Sequence, residues 1–242
     1  MKAERQFKGQ VAVRVGASGA LPSGVGFGAF SARSFVKIEP RTQGFYARYG
    51  KRIFDIVFSL TFLIVIGSWL LPIIAVVIKL DSPGPALFRQ RRIGRGGEVF
   101  ICLKFRTMSH QPFAEFKQVE RNDPRVTRVG AFLRKTNLDE LPQFINVLFG
   151  QMSVVGPRPH VPELDEAFAG SVARYSCRNS VRPGVTGLAQ ISGCRGETRS
   201  VREMSQRVRF DIFYIRSLSF GVDFGIIFKT ALSVISGDDK AF

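Results

Sequence analysis

The sequence predicts an α+β fold in which a re-entrant membrane helix hairpin and an associated β-hairpin precede a cytoplasmic helical domain with amphipathic interfacial helices. Two patterns carry this prediction. Residues 56–78 contain no charged side chain, and as a helix this run would span about 34 Å, enough to cross a bilayer. Further along, apolar residues alternate at residues 99–105 and then recur with the helical period after residue 139.

Residues 1–47 are predicted to form a mobile basic tail. Up to about residue 44 the chain is rich in Gly, Ala, Ser and Arg, and its acidic residues there are Glu4 and Glu39. Segments of this composition do not bury enough apolar surface to order themselves. The stretch has no apolar core followed by a small-residue cleavage site, so a signal peptide is not predicted.

Residues 48–80 are predicted to form the re-entrant membrane helix. Basic residues flank the uncharged run on both sides, namely Arg48, Lys51 and Arg52 before it and Lys79, Arg89, Arg91, Arg92 and Arg95 after it. Because basic flanks favour the cytoplasmic side, both ends are drawn to one face, which a hairpin satisfies and a single crossing does not. Gly67, Ser68 and Pro72 mark the expected break. A kinked spanning helix and a fully buried core helix are the alternatives.

Two turn-rich connectors at residues 81–85 and 94–97 enclose a predicted β-hairpin, with strands at residues 86–92 and 99–108. Alternation places one set of apolar side chains on one face, namely Val99, Ile101, Leu103 and Phe105. Lys104 and Arg106 then share the other face. Two neighbouring cations on a strand suit a bound phosphate, and a solvated strand face is the alternative.

Asp139 and Glu140 form an acidic pair in a chain of net charge +16, with 35 Lys and Arg against 19 Asp and Glu. Pro142 is tolerated in a first helical turn, which predicts a helix that is capped by Asp139 and runs to Phe149, with Gly150 as its stop. Both carboxylates would then lie where backbone N–H groups also attract phosphate. One could serve as a nucleophile and the other could hold a divalent cation. A structural helix cap is the plainer alternative.

Two stiff loops present arginines. Pro157 and Pro159 fix the backbone on either side of Arg158, and a rigidly held arginine suits a phosphate or a planar base. Arg182 begins a second such loop at residues 182–187, and for both loops a structural turn is the alternative. The aromatic stretch at residues 210–235 predicts an amphipathic helix in the membrane interface or under the hairpin.

Composition excludes several classes of protein. The basic charge predicts an anionic partner, which means nucleic acid, anionic lipid headgroups or a phosphorylated substrate. Cys102, Cys177 and Cys194 show neither CxxC nor zinc-finger spacing, so neither a disulfide framework nor a structural zinc site is expected. His110 and His160 lie outside any metal-binding pattern, which disfavours a zinc hydrolase or a Ser-His-Asp triad. Each histidine is expected at the surface or in a loop.

Taken in order, several stretches resemble the bacterial sugar transferase family of monotopic polyprenyl-phosphate phosphoglycosyl transferases, the group that acts as undecaprenyl-phosphate glucose or galactose phosphotransferases. The matching stretches are residues 51–55, 81–85, 104–108, 138–143 with 146–148, 152–159, 181–187 and 211–230. They cover about residues 48–242 in the family's order. Family members often break the membrane helix at adjacent Ser-Pro, whereas here Trp69 follows Ser68 and the proline comes at Pro72.

The resemblance implies that residues 81–242 form a catalytic domain that moves a sugar 1-phosphate from a UDP-sugar to undecaprenyl phosphate, with release of UMP. Asp139 would be the nucleophile that attacks the β-phosphate and carries a covalent phosphosugar intermediate. Glu140 would help to hold Mg²⁺. Arg158, between Pro157 and Pro159, would position the uridine nucleotide.

The resemblance also implies further site residues and a setting. Lys104, Arg106, Arg134 and Arg182 would contact phosphates, and Asp211 matches an acidic position of the site. Residues 194–198 with Met204 favour glucose 1-phosphate over galactose 1-phosphate or an N-acetylated sugar phosphate. The implied setting is the cytoplasmic face of a bacterial inner membrane, at the start of exopolysaccharide or O-antigen synthesis. Membrane lipids and downstream glycosyltransferases are then the expected partners, and nucleic acid is not.

Two other classes of protein are alternatives to an enzyme. A membrane-anchored nucleic-acid-binding protein would need a basic groove with interleaved aromatic residues, whereas the basic residues here cluster beside the apolar run and among Pro and Gly loops. A non-enzymatic scaffold that orders polysaccharide enzymes would have no need of Asp139 and Glu140.

Overall fold

The computed structural model describes residues 44–109, 123–194, 196, 198 and 200–236. Its first element, here called the membrane helix, covers Tyr46–Asp81 and is the one helix in these ranges that is long and apolar enough to cross a membrane. It consists of a π-helical turn at Tyr46–Gly50, α1 at Lys51–Phe62, a second π-helical turn at Leu63–Gly67 and α2 at Ser68–Asp81. The predicted basic tail lies outside the described residues up to position 43.

The membrane helix stays helical where a break was predicted. Gly67 (φ −63°, ψ −33°) and Ser68 (φ −57°, ψ −34°) both have right-handed helical backbones. The hydrogen-bond pattern changes there instead, because the π-helical turn at Leu63–Gly67 ends directly before α2, and such turns are frequent at bends. Ser68 Oγ donates to the Ile64 carbonyl at 2.7 Å, and Pro72 lies inside α2. The long helix is therefore confirmed, and its re-entrant course stays a prediction.

The predicted β-hairpin is confirmed. β1 (Leu87–Ile93) pairs antiparallel with β2 (Val99–Phe105) along the full length of both strands. Directly opposite residues of an antiparallel pair project to the same face of the sheet. The register therefore places Arg92 of β1 on the same face as Cys102 and Lys104 of β2.

Helices and a second, two-stranded sheet make up the rest of the described chain. In order these are α3 (Arg128–Lys135), a 3₁₀ turn (Leu138–Glu140), α4 (Gln143–Leu148), β3 (Ser153–Val155), α5 (Pro162–Ala169), a 3₁₀ segment (Tyr175–Ser180), β4 (Gly184–Thr186), α6 (Leu188–Ile191), α7 (Val201–Ser217) and α8 (Phe220–Ser236). β3 and β4 pair parallel. The backbone just after β3 lies so close to Gly184 of β4 that a Cβ atom on that glycine would overlap the backbone nitrogen of Gly156. The predicted helix at residues 210–235 is divided between α7 and α8.

The helix predicted to start at Asp139 starts later, so that prediction is wrong. Asn137 has a left-handed backbone (φ +57°) and leads into the 3₁₀ turn at Leu138–Glu140. α4 follows at Gln143, directly after Pro142, because the fixed φ and missing N–H of proline suit a helix entry. Neither acidic residue is a helix cap. The predicted stop is confirmed, since Gly150 has φ +79°.

Both halves of the membrane helix contact the same part of the domain. Phe62 of α1 stacks on Phe144 of α4, with 4.2 Å between the ring centroids. Ile78 of α2 is buried in a cluster with Leu133 of α3. Leu141 packs against both clusters. The two halves of one long helix therefore converge on the segment that joins the acidic pair to α4.

Apolar side chains stay exposed along the centre of the membrane helix and along α8. In the membrane helix these include Ile64, Val65, Trp69 and Ile73, and in α8 they are Phe220, Phe224, Phe228 and Leu232 at intervals of four residues. A contiguous apolar surface of this kind marks a contact with a membrane or another protein.

A buried polar cluster, here called the anchor cluster, fastens the start of the membrane helix to β3, α7 and α8. Its members are Tyr46, Lys51, Asp55, Ser153, Tyr214 and Asp223. Lys51 Nζ lies 3.0 Å from Asp55 Oδ1 and 2.9 Å from Asp223 Oδ2. The Ser153 hydroxyl donates to Asp55 at 3.0 Å, and the Tyr46 and Tyr214 hydroxyls donate to Asp223 at 2.6 and 2.8 Å. Each buried carboxylate thus has several partners.

Candidate active site

Glu140 is buried and held by two cations. Lys104 Nζ of β2 lies 2.7 Å from Glu140 Oε1. Arg158 spans the carboxylate, with Nη2 2.7 Å from Oε1 and Nη1 3.2 Å from Oε2. Burial works against ionisation of Glu140, yet Arg158 and Lys104 lower its pKa below the usual range. Glu140 is therefore a fixed anion that joins the hairpin to the loop of Arg158.

Asp139 differs from its neighbour in its contacts and in the direction in which its pKa is shifted. It is partly buried, and its side chain makes no hydrogen bond or ion pair with any residue that the structure describes. Burial raises the pKa of Asp139 to about 6; nearby Lys104 opposes the rise, and the charge of Glu140 adds to it. At neutral pH Asp139 is thus an ionised carboxylate without a fixed partner, which is the state that a nucleophile needs.

Arg134 lies in the last turn of α3, next to the acidic pair. Its Nε donates to Thr107 Oγ1 at 2.8 Å. Burial lowers the pKa of Arg134, and the Asp139 carboxylate is the strongest influence in the opposite direction. The structure therefore brings together five of the predicted residues, namely Lys104, Arg134, Asp139, Glu140 and Arg158.

Hydrogen bonds hold all three successive carbonyls of the Pro-Arg-Pro run. The Pro157 carbonyl accepts from the Gly184 N–H at 2.9 Å, and the Arg158 carbonyl accepts from Arg178 Nη2 at 2.6 Å. The Pro159 carbonyl accepts from Arg92 Nη1 at 2.8 Å. The backbone that presents the Arg158 guanidinium to Glu140 is therefore fixed from three sides.

Asp211 lies behind this loop, where it pairs with Arg178. Arg178 Nε and Nη2 lie 3.0 and 2.9 Å from Asp211 Oδ2, and both side chains are 2% exposed. Arg178 also contacts the Nδ1 atom of His160. The prediction of a loop position for His160 is right, although its side chain is buried. A substrate role for Asp211 stays a prediction, since its contacts are those of a residue that positions Arg178 and, through it, Arg158.

Two predicted phosphate ligands, Arg106 and Arg182, contact backbone carbonyls just beyond helix ends. Arg106 is buried, and its guanidinium donates to the carbonyls of Ser82 and Pro83 at 2.7 and 2.8 Å, just beyond α2. Arg182 Nε donates to the Gly150 carbonyl at 2.7 Å, after α4. None of the contacts described for Arg106 or Arg182 is with the acidic pair. Their phosphate roles stay predictions, and these capping contacts explain why both positions are basic.

A small cleft opens beside Glu140. It is lined by Arg92, Cys102, Lys104, Gln143, Arg158 and Pro159. Sequence reasoning missed three residues around the site, namely Arg92, Gln143 and Arg178. In the sequence, Arg92 is one of the basic residues that flank the membrane helix, Gln143 lies in a matching stretch that assigns it no role, and no signal marks Arg178.

The acidic pair fits a Mg²⁺ ion that is held partly by the substrate. No group of three or more His, Cys, Asp or Glu side chains that could hold a metal occurs among the described residues. Mg²⁺ commonly binds one or two carboxylates together with substrate phosphates. Asp139 without a fixed partner and the Oε2 atom of Glu140, which has one contact at 3.2 Å, supply such a pair.

Comparison with known proteins identifies relatives over most of the chain. A sequence profile described as Bacterial sugar transferase matches residues 46–237. A Klebsiella pneumoniae protein named UDP-glucose:undecaprenyl-phosphate glucose-1-phosphate transferase is 49% identical over 181 residues, which are 74% of this chain and 39% of that protein. A Caulobacter vibrioides protein of the same name is 46% identical over 190 residues, 78% of this chain and 71% of that protein.

A third relative aligns with this chain over nearly all of its own length. The Exopolysaccharide production protein PSS of Rhizobium leguminosarum is 44% identical over 191 residues, which are 77% of this chain and 95% of that protein. The chain thus spans about two fifths of the length of the Klebsiella relative and nearly all of the Rhizobium one.

Proposed function

Since the chain belongs to the bacterial sugar transferase family, we propose that it transfers glucose 1-phosphate from UDP-glucose to undecaprenyl phosphate and releases UMP. The observation that carries this proposal is the difference between the contacts of Asp139 and those of Glu140. Glu140 is locked between Lys104 and Arg158, whereas Asp139 is ionised at neutral pH and has no fixed partner among the described residues. The first is a structural and electrostatic support, and the second is free to react.

The reaction proceeds in two displacements at one phosphorus atom. A carboxylate oxygen of Asp139 attacks the β-phosphorus, and the bond from that phosphorus to the bridging oxygen breaks, so that UMP leaves with the electron pair. An oxygen of undecaprenyl phosphate then attacks the phosphosugar on Asp139. The acyl phosphate bond breaks, the lipid diphosphate sugar forms, and the Asp139 carboxylate is restored.

The surrounding cations stabilise the negative charge that develops in the transition states of both steps. Lys104, Arg134 and Arg158 already lie around the acidic pair and need no rearrangement before the reaction. Mg²⁺ held by Glu140, together with Asp139, would offset charge on the diphosphate when bound. Glu140 also keeps Lys104 and Arg158 in place, because both donate to it.

The membrane arrangement is part of the proposal. Both halves of the membrane helix pack on the domain, and arginines hold carbonyls at both ends of this contact: Arg52 donates to Val147 at 2.6 Å, and Arg106 to Ser82 at 2.7 Å. A straight helix through a bilayer would carry one of its ends away from the domain, so a re-entrant course agrees with these contacts. The catalytic domain then lies on the cytoplasmic face of the inner membrane, where UDP-sugars and undecaprenyl phosphate meet.

Relatives support the choice of sugar and pathway. Two of them are named for glucose 1-phosphate transfer and one for exopolysaccharide production. Glucose is therefore the first sugar to test, ahead of galactose and N-acetylated sugars.

The proposal is tested by UMP release from UDP-sugars, with the full chain in nanodiscs. UMP should form from UDP-glucose when undecaprenyl phosphate and Mg²⁺ are present, and Asp139→Asn should abolish it. Glu166→Gln, which changes an exposed acid on α5, is the matched control and should act as the wild type does. Full activity of Asp139→Asn would refute the role of Asp139, and indifference to changes of both acids would favour a scaffold.

The topology is tested separately. Single cysteines in place of Arg48 and Arg89 should both react with an impermeant reagent from the cytoplasmic side of membrane vesicles. Labelling from opposite sides would exclude the re-entrant course without affecting the assignment of the reaction.

A further inference from the structure

The cleft beside Glu140 contains a buried amide that has no fixed role. Gln143 begins α4, lines the cleft and is 2% exposed. Among the residues that the structure describes, none forms a hydrogen bond with its side chain. A buried side-chain amide is normally paired, because leaving it unpaired costs free energy. An unpaired one that lines a cleft is a group prepared for a ligand.

The other side chains of the cleft determine the charge of that ligand. Arg92, Lys104 and Arg158 all line it, while Glu140 supplies one negative charge beside it. Burial, together with the neighbouring charge of Arg158, lowers the pKa of Arg92 to about 10. Cys102 adds no charge, since burial raises the pKa of its thiol. Three positive charges held close together in this way favour the binding of an anion.

Arg92 is anchored for this role. Its Nη1 donates to the Pro159 carbonyl at 2.8 Å, and its Nη2 donates to Gln90 Oε1 at 2.6 Å. The first of these partners belongs to the loop of Arg158 and the second belongs to the hairpin. The guanidinium is therefore set in place before any ligand arrives, as a binding site requires.

Lys104 and Arg158 connect the cleft to the acidic pair, because each donates to Glu140 and also lines the cleft. A ligand that reaches both places therefore carries two anionic groups close together. A nucleoside diphosphate has this property, with the transferred phosphate at Asp139 and the other phosphate in the cleft. A sugar has no charge to match three cations.

We propose that the cleft holds the phosphate that is not transferred, so that Gln143 donates its amide N–H to the α-phosphate of the UDP-sugar and to the phosphate of UMP. Arg92 supplies the fixed charge of this subsite, and Gln143 is a binding residue of the reaction. The inference rests on the proposed function, because it assigns one end of the same substrate.

The experiment measures the affinity of the full chain in nanodiscs for UMP and for uridine by calorimetry. Gln143→Glu keeps the shape of the side chain and adds a negative charge, and Gln143→Leu removes the donor. UMP binding should weaken about tenfold in Gln143→Leu and more in Gln143→Glu, as for a lost hydrogen bond to a charged group. Uridine binding should change less than twofold in both.

Controls separate this inference from the proposed function. Gln206→Glu and Gln206→Leu make the same changes at an exposed position on α7 and should bind UMP as the wild type does. Thermal unfolding of every variant checks that Gln143→Glu is folded. Unchanged UMP affinity in folded Gln143 variants, or an equal loss for uridine and UMP, overturns the inference even if the wild type releases UMP. Failure of the wild type to release UMP overturns the proposed function instead.

Discussion

The acidic pair and the anchor cluster contain the same kinds of groups in opposite conditions. Each has two carboxylates beside cations, and each joins parts of the chain that are far apart in sequence. In the anchor cluster Asp55 and Asp223 share Lys51 and accept further hydrogen bonds from Ser153 and Tyr214. In the acidic pair Glu140 is satisfied in the same way, but Asp139 is left without a partner among the described residues.

This difference separates a structural carboxylate from a reactive one. A buried anion with several donors is held in place and stabilises the contacts around it, whereas an ionised carboxylate with a raised pKa and no fixed partner is both available and basic. The presence of acidic residues among basic ones therefore says little about function. The number of partners that each oxygen has is the informative quantity.

The largest expected effect is on Asp139, the proposed nucleophile. Asp139→Asn should reduce UMP release at least about a thousandfold, as the loss of a nucleophile does in other enzymes. Its thermal unfolding midpoint should stay at or above that of the wild type, because no partner among the described residues is lost and a strained charge is removed. A marked loss of stability would mean that Asp139 is a structural residue like those of the anchor cluster.

The opposite outcome is expected in the anchor cluster. Asp223→Ala removes one partner of a buried ion pair and should lower the free energy of unfolding by about 3–5 kcal/mol. Chemical denaturation in detergent measures this loss, with Glu166→Ala on α5 as an exposed control. If Asp223→Ala unfolds as the wild type does but fails to release UMP, the anchor cluster belongs to the chemistry after all.

Glu140 is held by ion pairs, like the carboxylates of the anchor cluster, yet it lies next to Asp139. Its substitution should therefore reduce activity less than that of Asp139. Glu140→Gln keeps the shape of the side chain but removes the charge that Lys104 and Arg158 hold. UMP release should fall about a hundredfold, in the range seen when one preorganised electrostatic contact is lost. An activity equal to that of the wild type would show that Lys104 and Arg158 are positioned without it.

The smallest effect is a shift in pH dependence. In the proposed reaction Asp139 must be ionised, and its pKa is raised to about 6, so the rate of the UMP burst should fall about tenfold per pH unit as the pH decreases below that value. The charge of Glu140 raises the pKa of Asp139, so Glu140→Gln should move this decline to lower pH. Quenched-flow measurements on both proteins test this, and an unmoved decline would assign the titration to another group.

Local pattern was enough to predict several elements. A long uncharged run predicts a helix whatever surrounds it, which is why the helix over Tyr46–Asp81 was found. The hairpin was found for the same reason, since alternation and turn residues are local signals. The start of α4 was predicted wrongly, because Asn137 takes a left-handed backbone and the chain forms a 3₁₀ turn before Pro142.

The roles of individual cations could not be predicted from local sequence patterns. Lys104, Arg106 and Arg182 look equivalent in sequence, yet Lys104 meets a carboxylate while the other two meet backbone carbonyls at helix ends. These contacts join residues that are about 20 to 40 positions apart in the chain, so no local rule selects them. Arg178, which fixes the Arg158 carbonyl, was missed for the same reason.

By itself the sequence determined the membrane helix, the hairpin, the acidic pair and the family, because these depend on periodicity, composition and ordered motifs. The tertiary structure alone decided which carboxylate has no fixed partner among the described residues, which arginines contact the acidic pair and which contact helix ends, and that Gln143 lines a cationic cleft. The physical reason is that the pKa and hydrogen bonding of a side chain are set by the neighbours that folding brings to it, and most of those neighbours are distant in sequence.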